Sequence, residues 1–155
     1  MRRAFPTFDA VLDVGHRRST LYLRNSFEAF QARQGGASIT AGIEKDLRLD
    51  ESTAEKRKRI LGTAGAGERA REALVGALVS LVTSARNVSP VQRIALVGNG
   101  VRLPNLARDV ELAIGARCEL AVSHVLSGEL YSGDVIAPSA ADWTLAAALA
   151  TGDLQ

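Results

Sequence analysis

The run Ile94-Ala95-Leu96-Val97 stops at Gly98-Asn99-Gly100, and after Val101-Arg102-Leu103 the residue Pro104 opens a segment with apolar residues at helical spacing to Ile114. A short apolar run, a glycine turn and a helix start with proline in its first turn constrain the chain to a strand–turn–helix unit. Such a turn lets a ligand approach the backbone closely, because glycine has no Cβ in the way. It is equally compatible with a tight turn that holds nothing. A second glycine turn lies far upstream, at Asp13-Val14-Gly15, again at the end of an apolar run. Two such turns at strand ends meet at the carboxyl edge of one sheet, where α/β folds place ligands.

The rest of the chain supplies the elements between these turns. Phe8 to Val14, Thr20 to Leu23 and Phe27 to Ala32 read as three strands with links short enough for an antiparallel meander. Phe27, Ala29 and Gln31 fall on one side of the third. Gly35-Gly36 breaks the pattern, and Ile39, Ile43 and Leu47 follow at helical spacing, with Ser38 as the expected N-cap. A further helix begins at Leu49-Asp50. Either Asp50 caps it, or Ser52 and Glu55 form a capping box one turn later. It fades by Gly62, and Gly62 to Gly67 reads as a flexible loop. Glu68 to Asn87 is the longest helix, with Leu74, Leu78, Leu81, Val82 and Ala85 on a broad apolar face. Cys118 to Val122 is a fifth strand, His124 to Pro138 a surface loop, and Ala140 to Ala150 a last helix of small residues. Strands first antiparallel and then separated by helices predict a mixed α/β sheet with helices on its faces.

Composition narrows the function classes. With 155 residues and no internal repeat the chain reads as one domain, 1–155, and residues 36–67 as a helical insertion within it. The formal charge of +2 is mild, and the basic clusters Arg2-Arg3, Arg17-Arg18 and Lys56-Arg57-Lys58-Arg59 are not interleaved with aromatics. That argues against nucleic acid and for a solvated face. The single Cys118 excludes an intrachain disulfide and fits a strand residue in a reducing compartment. No apolar run reaches membrane-spanning length, so the expected location is cytoplasmic. There is no metal-ligand cluster and no Gly-x-Ser-x-Gly elbow, and His124 and Trp143 read as structural.

Taken in order, the motifs resemble the actin-like ATPase superfamily, which includes actin, the heat-shock chaperone ATPases, sugar kinases and FtsA. Asp13-Val14-Gly15-His16-Arg17-Arg18-Ser19-Thr20 resembles its second phosphate loop, and Val97 to Pro104 its adenosine motif. Ala54-Glu55-Lys56-Arg57-Lys58 resembles the Ala-Glu-x-x-Lys helix that reaches ribose and adenine in bacterial members. Ala146 to Gly152 resembles the small-residue connecting helix that packs against the other lobe. No single motif is specific; the ordered set is, and it is most similar to the PilM type IV pilus assembly proteins. The resemblance implies an RNase H-like fold and one lobe of two. Only one Asp-x-Gly turn is present, and the sequence begins just before it, so the expected identity is the second lobe alone.

The resemblance also implies roles for particular residues. Asp13 would position magnesium-bound phosphates and the attacking water; otherwise it satisfies the backbone of its own turn. Gly15 would offer backbone N–H groups to phosphate, with Thr20 further along either a contact or a strand residue. His16 and Arg17 replace smaller residues, which sets bulk against close phosphate approach. Gly98 and Gly100 would lie under the adenosine. Asn99 replaces a glycine, and its tolerance of positive φ would let the turn survive. Glu55 would accept from ribose hydroxyls and Lys58 would contact the adenine side, unless the two merely form a surface i,i+3 ion pair.

The expected ligand of the two-lobed protein is therefore ATP with Mg, and the expected role a cytoplasmic platform for pilus or related secretion assembly, peripheral to the inner membrane through its partners. Phosphoryl transfer needs groups on both sides of the phosphates, so a single lobe should not turn ATP over. Without the missing first lobe, apolar helix faces should favour self-association. Two alternatives stand beside this. One is a nucleotide-free interaction module of the same fold, favoured by Arg17. The other is a fragment of an FtsA-like division protein, which would add an amphipathic C-terminal helix.

Overall fold

A computed structural model describes residues 5, 7–26 and 28–121. Phe27, Val122, His124, Trp143, the 124–138 loop and the Ala140 to Ala150 helix lie outside these residues. The strands are β1 (Ala10–Val14), β2 (Ser19–Leu23), β3 (Ala29–Ala32), β4 (Arg93–Val97) and β5 (Arg117–Leu120). The helices are α1 (Gly36–Leu47), α2 (Glu51–Leu61), α3 (Glu68–Arg86) and α4 (Leu106–Ile114), with a 3-10 turn at Asn99–Arg102.

The strand order is β3-β2-β1-β4-β5. The β1–β2 and β2–β3 pairs are antiparallel, and the β1–β4 and β4–β5 pairs are parallel. The expected mixed five-stranded sheet is therefore present. Its topology follows from link length: β1, β2 and β3 are joined by connections that permit only hairpins, whereas β4 and β5 each return after a helical crossover. In the central strand β1, Leu12 and Val14 join the main core while Val11 joins Ala95, Val97, Phe5 and Ala121 on the other face. Burial on both faces explains its near-continuous apolar run.

The main core lies between the sheet and α3 and α4, with α1 packed on α3 and α2 on α1. All five expected core residues of α3 are buried: Leu74, Leu78, Leu81, Val82 and Ala85. Both α3 and α4 cover the same sheet face. In the edge strand β3 the core side is that of Phe30 and Ala32, while Ala29 and Gln31 are exposed. No described helix is long and apolar enough to cross a membrane.

Several local expectations are corrected by tertiary contacts. The first helix starts at Gly36 with Gly35 before it, and Ser38 lies inside the first turn, its hydroxyl donating to Gly35 O at 2.7 Å. No side-chain cap is needed, because Gly36 N–H and Ala37 N–H donate to the carbonyls of Gly15 and His16 at 3.0 and 2.7 Å. Of the two caps offered for α2, Asp50 is used: it accepts from Thr53 N–H at 3.0 Å and from the Thr53 hydroxyl at 2.7 Å. Glu55 is thereby left for other partners. The Gly62 to Gly67 stretch is tied down, not loose. Gly67 N–H donates to Asp46 Oδ2 at 2.7 Å, Arg57 Nη2 donates to Ala64 O at 2.6 Å, and Thr63 and Ala66 are buried. The Cys118 thiol is buried in β5. Desolvation and the Glu111 charge outweigh Arg86 and push it up to about 11, which keeps it unreactive.

Candidate functional site

The two glycine turns do meet. β1 and β4 are parallel neighbours, with Asp13 in register with Val97, so the turns after them leave the sheet at the same carboxyl edge. Gly98 adopts φ +89, a conformation that L side chains rarely take. A Cβ there would lie against Asp13 Oδ1 and 2.8 Å from Val14 O. The turn survives at Asn99 without drawing on that residue's tolerance of positive φ. Asn99 opens the 3-10 turn, and the left-handed positions are Gly98 and Asn105, at φ +63 just before α4. The helix therefore starts at Leu106 and not at Pro104.

A cleft of about 450 Å³ opens at this edge, between the two turns and the α1–α2 pair. Gly15, Glu55, Lys58, Asn99 and Gly100 all line it, joined by His16, Arg59 and Arg102. Five of the residues singled out in the sequence thus share one cavity. Gly98 shapes the turn without lining it.

Glu55 and Lys58 form the i,i+3 ion pair, at 2.6 Å, but within the cleft and inside a larger network. Glu55 Oε2 also accepts from the Thr40 hydroxyl at 2.6 Å, and Oε1 accepts from Arg59 Nε at 3.1 Å. Lys58 Nζ donates to Thr40 Oγ1 at 2.8 Å and to Gly36 O at 3.0 Å. Burial by itself would raise the Glu55 carboxyl, yet the hydrogen bonds from Lys58, Thr40 and Arg59, with the Lys58 charge, bring it down to about 2. Glu55 is therefore ionised at neutral pH and retains one acceptor position on Oε1. With His16, Lys58, Arg59 and Arg102 around it, the cleft suits an anionic ligand that also carries hydroxyls.

The remaining candidates are placed differently. Asp13 and Thr20 are cross-strand partners. The strand alternation puts Asp13 with Val11, on the sheet face away from α3 and α4. Neither residue lines the cleft. Gly15 N–H donates to Arg18 O at 3.0 Å, so the donor expected to face phosphate closes its own turn. Among the described residues no group of three potential metal ligands occurs.

Desolvation raises the Asp13 carboxyl, with no compensating hydrogen bond or ion pair among the described residues. A raised folded-state midpoint means that the ionised group opposes folding above that midpoint and is relieved as pH falls through it. Asp13→Asn should therefore raise the thermal midpoint by a few degrees at pH 7. That advantage should vanish as pH falls toward 4. Equal midpoints for the two proteins at pH 7 would show that Asp13 is not strained by burial.

Solved structures of similar shape are known. A chain of the PilM–PilN type IV pilus biogenesis complex aligns with 94% of this chain at 21% identity and a TM-score of 0.65. An archaeal actin homologue aligns with 94% at 16% identity and 0.60. This chain therefore has the fold of its actin-like neighbours, a mixed five-stranded sheet with flanking helices. The ethanolamine utilization protein EutJ from Carboxydothermus hydrogenoformans adds a match over 74% of the chain at 11% identity and 0.55. The chain spans less than half the length of each of those three chains, 46%, 47% and 44% respectively. No protein-family model and no curated protein sequence matches the chain.

Some residues around the cleft are not legible in the sequence. Thr40 looks like one more position beside the Ile39–Ile43 stripe, and its role emerges only when α2 packs on α1. Gly36 reads as a strand breaker, yet its carbonyl and N–H both serve the site. Arg59 did carry a signal, its i,i+4 spacing from Glu55.

Proposed function

We propose that this chain is the nucleotide-binding second lobe of a two-lobed actin-like ATPase, and that the two-lobed protein is a PilM-like cytoplasmic platform for pilus or secretion assembly. The observation that carries the reading is the single cleft that gathers Gly15, Glu55, Lys58, Asn99 and Gly100 at the carboxyl edge of the sheet. In this reading Oε1 of Glu55 accepts a ribose hydroxyl, Lys58 and Arg59 border the base, and the backbone at Asn99-Gly100 supports the nucleoside. ATP with Mg is the ligand of the two-lobed protein. Asp13, at the end of β1, would address the metal-bound phosphates from the other side of the sheet edge once a first lobe is present. Residues 36–67 then form a helical insertion that supplies one wall of the cleft. The PilM–PilN type IV pilus biogenesis complex motivates a pilus-assembly partner, which in this reading is reached through the first lobe and not through this chain.

A second reading is a nucleotide-free interaction module of the same fold. It is favoured by the closed Gly15 turn and by the position of Asp13 outside the cleft.

Calorimetric titration with magnesium-ATP separates the two. The first reading expects weak binding, lowered at least tenfold or so by Glu55→Ala through loss of a charged hydrogen-bond acceptor. It also expects no turnover by the chain alone. Binding that ignores Glu55→Ala would place the ligand elsewhere, and no binding by a two-lobed form would leave the interaction module.

A further inference from the structure

The bonds around Thr40 join the two halves of the cleft. Its side chain lies on α1 and the residue is 4% exposed. Oγ1 is 2.6 Å from Glu55 Oε2 and 2.8 Å from Lys58 Nζ. An ammonium only donates and a hydroxyl has one proton. Thr40 therefore accepts from Lys58 and gives its proton to the Glu55 carboxylate; the 3.3 Å approach to Gly36 O is the poorer use of that proton. Lys58 then donates to Gly36 O, Gly36 N–H donates to Gly15 O, and Ala37 N–H donates to His16 O. A continuous path runs from the acceptor side of the cleft to the β1–β2 turn.

We propose that Thr40 is a positioning residue: it locks Glu55 and Lys58 into one arrangement and, through the Gly36 carbonyl, sets the β1–β2 turn against the cleft. An i,i+3 pair of long side chains has several arrangements of similar energy. A buried hydroxyl that donates to one partner and accepts from the other selects a single one, leaving Oε1 of Glu55 turned to the ligand side. The effect on ligand affinity rests on the nucleotide reading; the positioning itself does not.

The test uses the full chain with Thr40→Val, which keeps the shape and removes the hydroxyl, and Thr40→Ser, which restores it. Thr40→Ala gives the same comparison if the valine variant does not fold. Carboxyl and amide NMR reads the Glu55 titration midpoint and the Gly15, His16, Gly36 and Ala37 amides, and calorimetry reads magnesium-ATP affinity. The valine variant is expected to raise the Glu55 midpoint by about one pH unit, shift the turn amides and weaken magnesium-ATP about tenfold. Serine should restore all three. An unmoved midpoint, unmoved turn amides or a serine variant that behaves like valine overturns the proposal. Wild-type affinity in the valine variant overturns its consequence for the ligand. If the wild type binds no nucleotide while both NMR readouts move and recover, the nucleotide reading fails and the positioning role stands.

Discussion

Gly98→Ala is expected to cost about 3 kcal/mol of stability, read as a lower midpoint in chemical denaturation. Two independent penalties add. The backbone at φ +89 and ψ 165 is a conformation essentially reserved for glycine. The added Cβ would also collide with Val14 O, at 2.8 Å, and with the Asp13 carboxylate. The carboxylate could swing aside, but the Val14 carbonyl belongs to the central strand and cannot. A chain of this size loses roughly 2–4 °C of midpoint per kcal/mol, so the shift should approach ten degrees. A change of less than about 1 kcal/mol would mean that the turn has a second conformation open to it, and that the close approach of the β1 and β4 ends is not required.

Gly35→Ala should be similarly severe for a different reason. Its φ of −165 is extended backbone that any residue adopts, so conformational strain plays no part. The collision does: a Cβ would stand 2.5 Å from Gly15 O and 2.6 Å from His16 O. Those are the carbonyls that accept from Gly36 and Ala37, so relief can come only by parting α1 from the turn. The expected loss is about 2–3 kcal/mol; under the proposed nucleotide reading, magnesium-ATP binding should also weaken at temperatures where the variant remains folded. Gly36→Ala is the control. Its Cβ would meet the flexible end of Lys58 at 3.4 Å and Gly15 O at 3.9 Å, both ordinary contacts, and should change stability by less than about 1 kcal/mol. Equal behaviour of the two variants would show that the turn does not brace α1.

The same pair of glycines shows where sequence reasoning runs out. Gly35-Gly36 is visible as an interruption between a strand and a helix, but nothing local says that the first contacts a turn twenty residues away in the chain. Ser38 was the better N-cap by residue type, and it lost because carbonyls from elsewhere already satisfied the helix donors. Asn99 is a residue type that tolerates positive φ, yet the turn uses Gly98 and Asn105 for it and sets Asn99 at the start of the 3-10 turn. The flexible reading of Gly62 to Gly67 followed from composition; Asp46, Arg57 and the burial of Thr63 decided otherwise.

What the sequence determined by itself is the element order, the mixed sheet, the α3 core face and the convergence of the two glycine turns. These depend on hydrophobic period and on link length, which are local or topological properties. What only the tertiary structure decided is which groups share the cleft and in what state. Glu55 and Lys58 are candidates both as ligand contacts and as an ion pair, and the structure shows the ion pair, set within the cleft. Thr40 became part of that pair only when α2 packed on α1, and Asp13 fell on the opposite face of the sheet. Hydrogen-bond partners separated by fifteen or more residues leave no periodic trace in a sequence, because their pairing depends on how whole elements pack.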